Sequence, residues 1–432
     1  MKSVFHFTTI LILLLLFTSL NAAEQFQIPE EFNYKTIKSS VPKDSRSFYK
    51  RAIKNLQNNQ PEKAKQYFAF IQKQEKSFFA YWGIALCYWQ MDDTVRTSNN
   101  FDKAYTLNDT LPPFLLNYAD FALRVERKSE LVQNLAVKAY RYSQSDDALL
   151  TLIHSSHEFG SSKSVLKKLK SLTEEFPKSA NAWVFYASLL AELKKNDDAV
   201  KISKRASAFS EDPFQLKLLS IILSSNGNFV ESANICEKIS SIDRKSSHAY
   251  EAWGFLEFKQ ANYVNAAINY KKALDHDYKE QTLLMLAHIY HYYLNRPKSA
   301  LYYCKSTLQI NRNSVACYHL LSEIHRKKGD LKRALNYSEK HLDLSYGRAK
   351  SHYYHGKMLF EMKRYDESVK YLEKAVELNS RTQRYKLVLA KAYAHAGQMD
   401  KAEQVYKNFI NEPLGDLWIE EKIQTESPLE SK

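Results

Sequence analysis

Residues 315–348 read VACYHLLSEIHRKKGDLKRALNYSEKHLDLSYGR, residues 349–382 read AKSHYYHGKMLFEMKRYDESVKYLEKAVELNSRT, and residues 383–410 read QRYKLVLAKAYAHAGQMDKAEQVYKNFI. The three starts, 315, 349 and 383, lie 34 residues apart. In each segment an apolar or aromatic residue precedes a small one, a helix-period stripe runs into a turn, and a second stripe follows. Ser322, Gly356 and Ala390 share one place on the first stripe, and Ala334, Ser368 and Ala402 share one on the second. Small residues at both places allow two antiparallel helices to approach closely. Gly329 and Gly397 fall between the stripes, where a positive φ costs glycine little. Each helix pair leaves one apolar face open for the next pair to cover, which is the logic of a solenoid.

These segments resemble the tetratricopeptide repeat, whose pattern sets an aromatic, a Leu-Gly-like pair and a Tyr on one helix and Ala, an aromatic and Ala on the next. Strong matches lie upstream: Tyr250, Trp253-Gly254, Ala266, Tyr270 and Ala273, then Trp183, Tyr186-Ala187, Ala199 and Ala206. Tyr81, Ile84-Ala85, Tyr88, Phe101 and Ala104 mark another unit, and Phe48, Ala52, Ala64 and Phe68 the first. Weaker units begin near Pro112, Asp146, Pro213 and Glu280. The unit near Asp146 carries His154 and Val165 in or beside the small places, and in the Glu280 unit Ala300 comes one residue late. The expected fold is all-α, an α-α superhelix (solenoid) of stacked antiparallel helix pairs, about eleven tetratricopeptide-like units over residues 45–411.

Composition agrees. Among 432 residues only 9 are Gly and 10 Pro, too few for the many turns of a sandwich or barrel. A hydrophobic fraction of 44% is ample for a core. The formal charge of +14 favours anionic partners, although the lysines form no single tract and also suit a solvated surface.

At the N-terminus Lys2 precedes the apolar stretch Phe7 to Leu20, and Asn21-Ala22-Ala23-Glu24 follows with small residues. That is the layout of a secretory signal peptide, residues 1–22, cleaved after Ala22 or Ala23. The expected location is periplasmic or secreted, with a bacterial envelope favoured, and nucleic acid is not expected as a partner. Residues 23–44, with Pro29 and Pro42, read as a linker or arm. Residues 412–432 hold six acidic residues against Lys422 and Lys432, a net of −4. Leu414, Leu417, Trp418 and Ile423 give this tail two readings, a cap on the array or a segment folded back on a basic groove.

The resemblance implies that the first helices line a concave groove. Mapped onto this chain, its C-terminal part carries His288, His291, Tyr292, His319, Glu323, Arg326, Lys327, Tyr353, Lys357, Phe360, Lys391 and His395. The set is basic and aromatic, suited to an acidic or aromatic-rich peptide. Sugars also stack on such rings. The lysine, arginine and asparagine set with which some family members hold a terminal carboxylate has no residue-by-residue match here.

No G-x-S-x-G, phosphate-loop or H-E-x-x-H motif occurs, and repeats fill the chain, so no catalytic activity, cofactor or metal is expected. Ser164 and Lys167 fit S-x-x-K without its companion motifs. His352 and His355 fall on packing positions. Cys87, Cys236, Cys304 and Cys317 show no zinc spacing, and whether Cys304 and Cys317 join in a disulfide stays open. The expected function is an exported scaffold for a protein or peptide partner in the cell envelope, touching membrane only through partners. The alternative is an assembly or export factor for an anionic exopolysaccharide or other envelope polymer.

Overall fold

The computed structural model describes residues 28–30 and 32–410, with backbone alone for 407–410. The leader assigned to residues 1–22 and the acidic tail lie outside the described residues. The chain divides into two compact units, residues 1–260 and 261–432. The first holds α1 (Arg46–Gln57), α2 (Pro61–Gln74), α3 (Phe78–Gln90), α4 (Thr94–Leu107), α5 (Pro112–Phe121), α6 (Ser129–Ser143) and α7 (Asp146–Phe159). It continues with α8 (Ser162–Glu175), α9 (Ala180–Glu192), α10 (Asn196–Phe209), α11 (Pro213–Ser225), α12 (Phe229–Ile242) and α13 (Ser247–Lys259). The second holds α14 (Tyr263–His276), α15 (Glu280–Tyr292), α16 (Pro297–Ile310), α17 (Val315–Lys327) and α18 (Leu331–Asp343). It ends with α19 (Ala349–Glu361), α20 (Tyr365–Leu378), α21 (Gln383–His395) and α22 (Met399–Ile410). Odd-numbered helices are the first helices of the repeats and even-numbered ones the second. No strand occurs among the described residues.

Helix starts follow local chemistry. Pro61, Pro112, Pro213 and Pro297 open α2, α5, α11 and α16, where a missing N–H costs nothing. Asp93, Asp212 and Asp330 cap α4, α11 and α18 by accepting backbone N–H groups, Asp212 from Phe214 at 2.7 Å.

Between first and second helices the chain reverses through one left-handed residue per repeat. Gly160, Gly227, Gly329 and Gly397 fill it in four repeats, with φ of 62°, 78°, 79° and 74°. In the other seven it is Asn59, Asp92, Arg127, Lys194, Ala261, Asn295 or Lys363. The turn is thus imposed by helix packing, since side chains other than glycine enter this region only at a cost.

The small residues meet as their spacing demands. Ser322 Oγ donates to the Ala334 carbonyl at 2.9 Å, Ser368 Oγ to the Gly356 carbonyl at 2.8 Å, and Ser232 Oγ to the Ser220 carbonyl at 3.1 Å. A Cβ on Gly356 would lie 2.8 Å from Leu372 Cγ and 3.2 Å from the Ser368 carbonyl. Gly356→Ala is therefore expected to destabilise the C-terminal unit by about 1–3 kcal/mol. Gly347→Ala, with nothing within 4 Å of the added methyl, is the matched control. Urea midpoints of the two variants check this.

The weak repeats are kept by other means. In the Pro112 repeat a π-type turn, Ala122–Glu126, and the left-handed Arg127 absorb the register, leaving Val132 buried. In the Glu280 repeat the turn is four residues, 293–296, so the late Ala300 still lands in the core. Around α7, whose repeat carries His154 and Val165 in or beside the usual small places, polar bonds substitute. Tyr140 OH donates to Asn181 Oδ1 at 2.7 Å, and Asn181 Nδ2 donates to Asp146 Oδ1 at 2.9 Å. Ser164 donates to Gln133 Oε1 at 2.7 Å, a role in packing for the S-x-x-K serine.

Within the stretch read as a linker or arm, Phe32, Ile37 and Val41 are buried, and Phe32 packs edge-on to Trp82 at 4.6 Å. The last part of that stretch thus covers α2 and α3.

Candidate functional site

The sequence-derived residues of the C-terminal unit fall into two groups. The first spans α15, α17 and α19. His319 stacks on Tyr354 at 4.0 Å between ring centroids, and His341 from α18 stands 5.4 Å from His319. Tyr292, 45% exposed, lies against His288 and His291 at 4.6 and 4.4 Å. Glu323 takes both prongs of Arg326, at 2.8 and 3.2 Å, and Arg326 also reaches Glu361 at 3.3 Å. Lys357 completes the cluster, 3.7 Å from Glu361. In the second group Phe360, Tyr365 and His395 pack together, with Tyr365 stacked on His395 at 4.9 Å. Lys391 is half-buried on α21, and Lys327 donates to Asn295 Oδ1 at 3.2 Å.

Two of the expected lining residues are buried. Tyr353 is 2% exposed and stacks on Tyr385 at 4.7 Å; His291 is 4% exposed. They support the face from beneath. The reason is register: Tyr353 lies where α19 meets α21, and the residue after it, Tyr354, turns outward.

His288, His291, His319 and His341 add no charge near neutral pH. Burial pushes His288 down to about 3, with His291 and His319 adding repulsion. His319 is pushed down to about 4 by burial, against the pull of Glu323, and His341 to about 3 by burial and then His319. Burial would raise the Glu323 carboxyl, but the Arg326 bonds and charge outweigh it and hold it below its ordinary value. A depressed base is neutral in the fold and protonates near 6.5 when unfolded, so the unfolded chain binds more protons between those values. Stability of this unit present above pH 6.5 is therefore expected to fall as the pH drops toward 4. Hydrogen exchange at pH 7 and pH 5 checks it: α15, α17 and α18 should lose protection, while α1–α6, which carry no histidine, should keep it.

Charge on this face is divided. At the C-terminal ends of α17 and α19, Arg326 and Lys357 are matched by Glu323 and Glu361. At the N-terminal ends of α19 and α21, Lys350 and Arg384 form no ion pair with a carboxylate among the described residues. Lys350 Nζ stands 5.4 Å from the Tyr354 ring and Arg384 Cζ 5.7 Å from the Tyr353 ring. Burial and then Arg348 hold the Lys350 ammonium below its usual value. Sequence reasoning missed His341, Lys350, Tyr354, Glu361 and Arg384. Lys350 and Arg384 both occupy the second position of a first helix, and that shared position was the available clue.

Elsewhere the chemistry is structural. All four cysteines are free and buried, and Cys317 Sγ donates to the Cys304 carbonyl at 3.2 Å. Burial pushes the Cys87 thiol up to about 12. His352 and His355 are buried, His355 Nδ1 lying 3.1 Å from Ser338 Oγ. Among the described residues no three His, Cys, Asp or Glu side chains converge as metal ligands, and no helix is long and apolar enough to cross a membrane. In the N-terminal unit, Lys217 Nζ of α11 pairs with Glu251 Oε2 of α13 at 2.6 Å, both buried, with His248 3.5 Å from the same oxygen.

Two family models match the chain. Residues 296–375 match one described as "Anaphase-promoting complex, cyclosome, subunit 3", and residues 346–410 match one described as "Tetratricopeptide repeat". No curated protein matches in sequence. Among solved structures, the yeast Tom70 structure is 14% identical, covering 89% of this chain and 95% of that one, with a TM-score of 0.49. A Cut9–Hcn1 hetero-tetramer of the APC/C is 12% identical, covering 91% and 98%, with a TM-score of 0.44. The MamA protein is 20% identical, covering 43% and 98%, with a TM-score of 0.35. At TM-scores below 0.5 these likenesses carry no argument of their own, and the fold rests on the helices themselves. Tetratricopeptide-type family models match from residue 296 to residue 410, and the described chain has the fold class of stacked tetratricopeptide-like helix pairs.

Proposed function

We propose that this chain is an exported scaffold, and that the first-helix face of its C-terminal unit grips an acidic, aromatic-bearing segment of a partner protein. One observation carries the reading: among the described residues Lys350 and Arg384 have no carboxylate partner, while Arg326 and Lys357 are already matched. Partner carboxylates then sit at the N-terminal ends of α19 and α21. An aromatic side chain lies against Tyr292, His319 and Tyr354, where rings already stack. Neutral histidines favour such stacking, because no ammonium-like charge has to be desolvated.

Affinity purification from an envelope fraction with the mature chain is expected to recover a stoichiometric protein. K350E/R384E should weaken that capture at least tenfold while leaving the helical signal unchanged. Unchanged capture by the double variant removes this face from the function. Salt-dependent retention on an acidic glycan column, with no protein captured, transfers the same cations to the anionic-polysaccharide reading. Export is tested separately: N-terminal sequencing of the envelope form should begin at Ala23 or Glu24.

A further inference from the structure

Lys350 and Arg384 present two cations with no carboxylate partner among the described residues, Lys350 beside the half-buried Tyr354 ring and Arg384 over the buried Tyr353 ring, and this chain itself carries a segment of the matching chemistry. Residues 411–432 follow α22 directly in the chain, and α22 belongs to the same unit as the face. They hold Glu412, Asp416, Glu420, Glu421, Glu426 and Glu430 against two lysines, with Trp418 between Asp416 and Glu420. Twenty-two residues reach roughly 70 Å when extended, and neighbouring packed helices lie about 10 Å apart, so α17 and α19 are well within range of Ile410.

We infer that residues 411–432 of this chain occupy the first-helix face of the C-terminal unit in cis, with carboxylates on Lys350 and Arg384 and Trp418 against the His319–Tyr354 stack. This rests on the proposed role of that face. A segment already tied to the unit has an effective concentration on the order of millimolar. Against an intrinsic affinity of about 100 μM, that tether suppresses the binding of any other acidic segment about tenfold. A partner must then displace the tail, and the face opens only to segments that bind more tightly than the tail does.

The probe is a fluorescein-labelled peptide with the sequence of residues 411–432, titrated into two full-length chains, the natural one and E412Q/D416N/E420Q/E421Q. The neutralised chain should bind the peptide about tenfold more tightly, and adding K350E/R384E to it should abolish binding. Equal affinity for both chains overturns the inference while leaving the face as an acidic-peptide site. Absence of binding to either chain overturns both. Binding that survives K350E/R384E places the peptide elsewhere and overturns the inference too. A photo-crosslinking residue at position 418 gives an independent reading. Links to α17 or α19 within one chain are expected; links confined to α22, as for a simple end cap, or to a second copy overturn the inference.

Discussion

Lys217→Met is expected to destabilise the N-terminal unit by about 3–5 kcal/mol, the cost of leaving one member of a buried ion pair without its partner. Lys217 and Glu251 meet at 2.6 Å with side-chain exposures of 3% and 7%, so water cannot replace the lost ammonium beside the carboxylate, which keeps His248 3.5 Å away. The Lys217 ammonium also lies 5.1 Å from the Phe214 ring, and the methionine stem retains much of that packing. The loss should therefore be electrostatic. The double variant K217M/E251L, which removes both charges at similar volume, should recover most of it, because replacing a buried pair by apolar residues is often close to neutral. Hydrogen exchange across α11–α13 is the direct measurement, since in a repeat array stability is set by each repeat and its neighbours. Equal loss in single and double variants would show that volume, not charge, matters there.

Trp82→Ala is expected to cost about 3–5 kcal/mol, the range for truncating a buried large aromatic. Trp82 is 1% exposed, packed edge-on against Phe32 at 4.6 Å and Phe114 at 5.5 Å. Its Nε1 donates to Asn117 Oδ1 at 2.8 Å, so truncation both opens a cavity and strands a buried amide. Trp82→Phe keeps one six-membered ring and loses the hydrogen bond with part of the ring volume, so it should cost less, about 1–3 kcal/mol. Because Phe32 rests on this ring, protection in residues 32–41 should fall together with α1–α3. Denaturant titrations of both variants, with exchange mapped onto α1–α5, check the ordering.

Much of the candidate site was within reach of the sequence, and the part that was not has a physical cause. The histidine and tyrosine positions follow from helix period. What they do depends on burial: His319 reads as part of a basic set on paper and is a neutral stacked ring in the fold. Arg326 likewise reads as a free cation until Glu323 and Glu361 are seen beside it. One rule would have found such pairs, since Lys217 and Glu251 are 34 residues apart and Arg326 and Glu361 are 35, close to one repeat.

The amino-acid sequence alone determined that this is a stack of helix pairs, because two helices cannot touch at Gly356 and Ser368 unless those residues are small, and that requirement recurs visibly every 34 residues. Only the tertiary structure decided which residue bends left-handed in seven of the eleven turns, since helix packing forces a lysine such as Lys363 into a conformation its own preferences oppose. It also decided which cations are spent on neighbouring carboxylates and which stand open. Charge pairing is a matter of distance between side chains on different helices, and composition carries no distances.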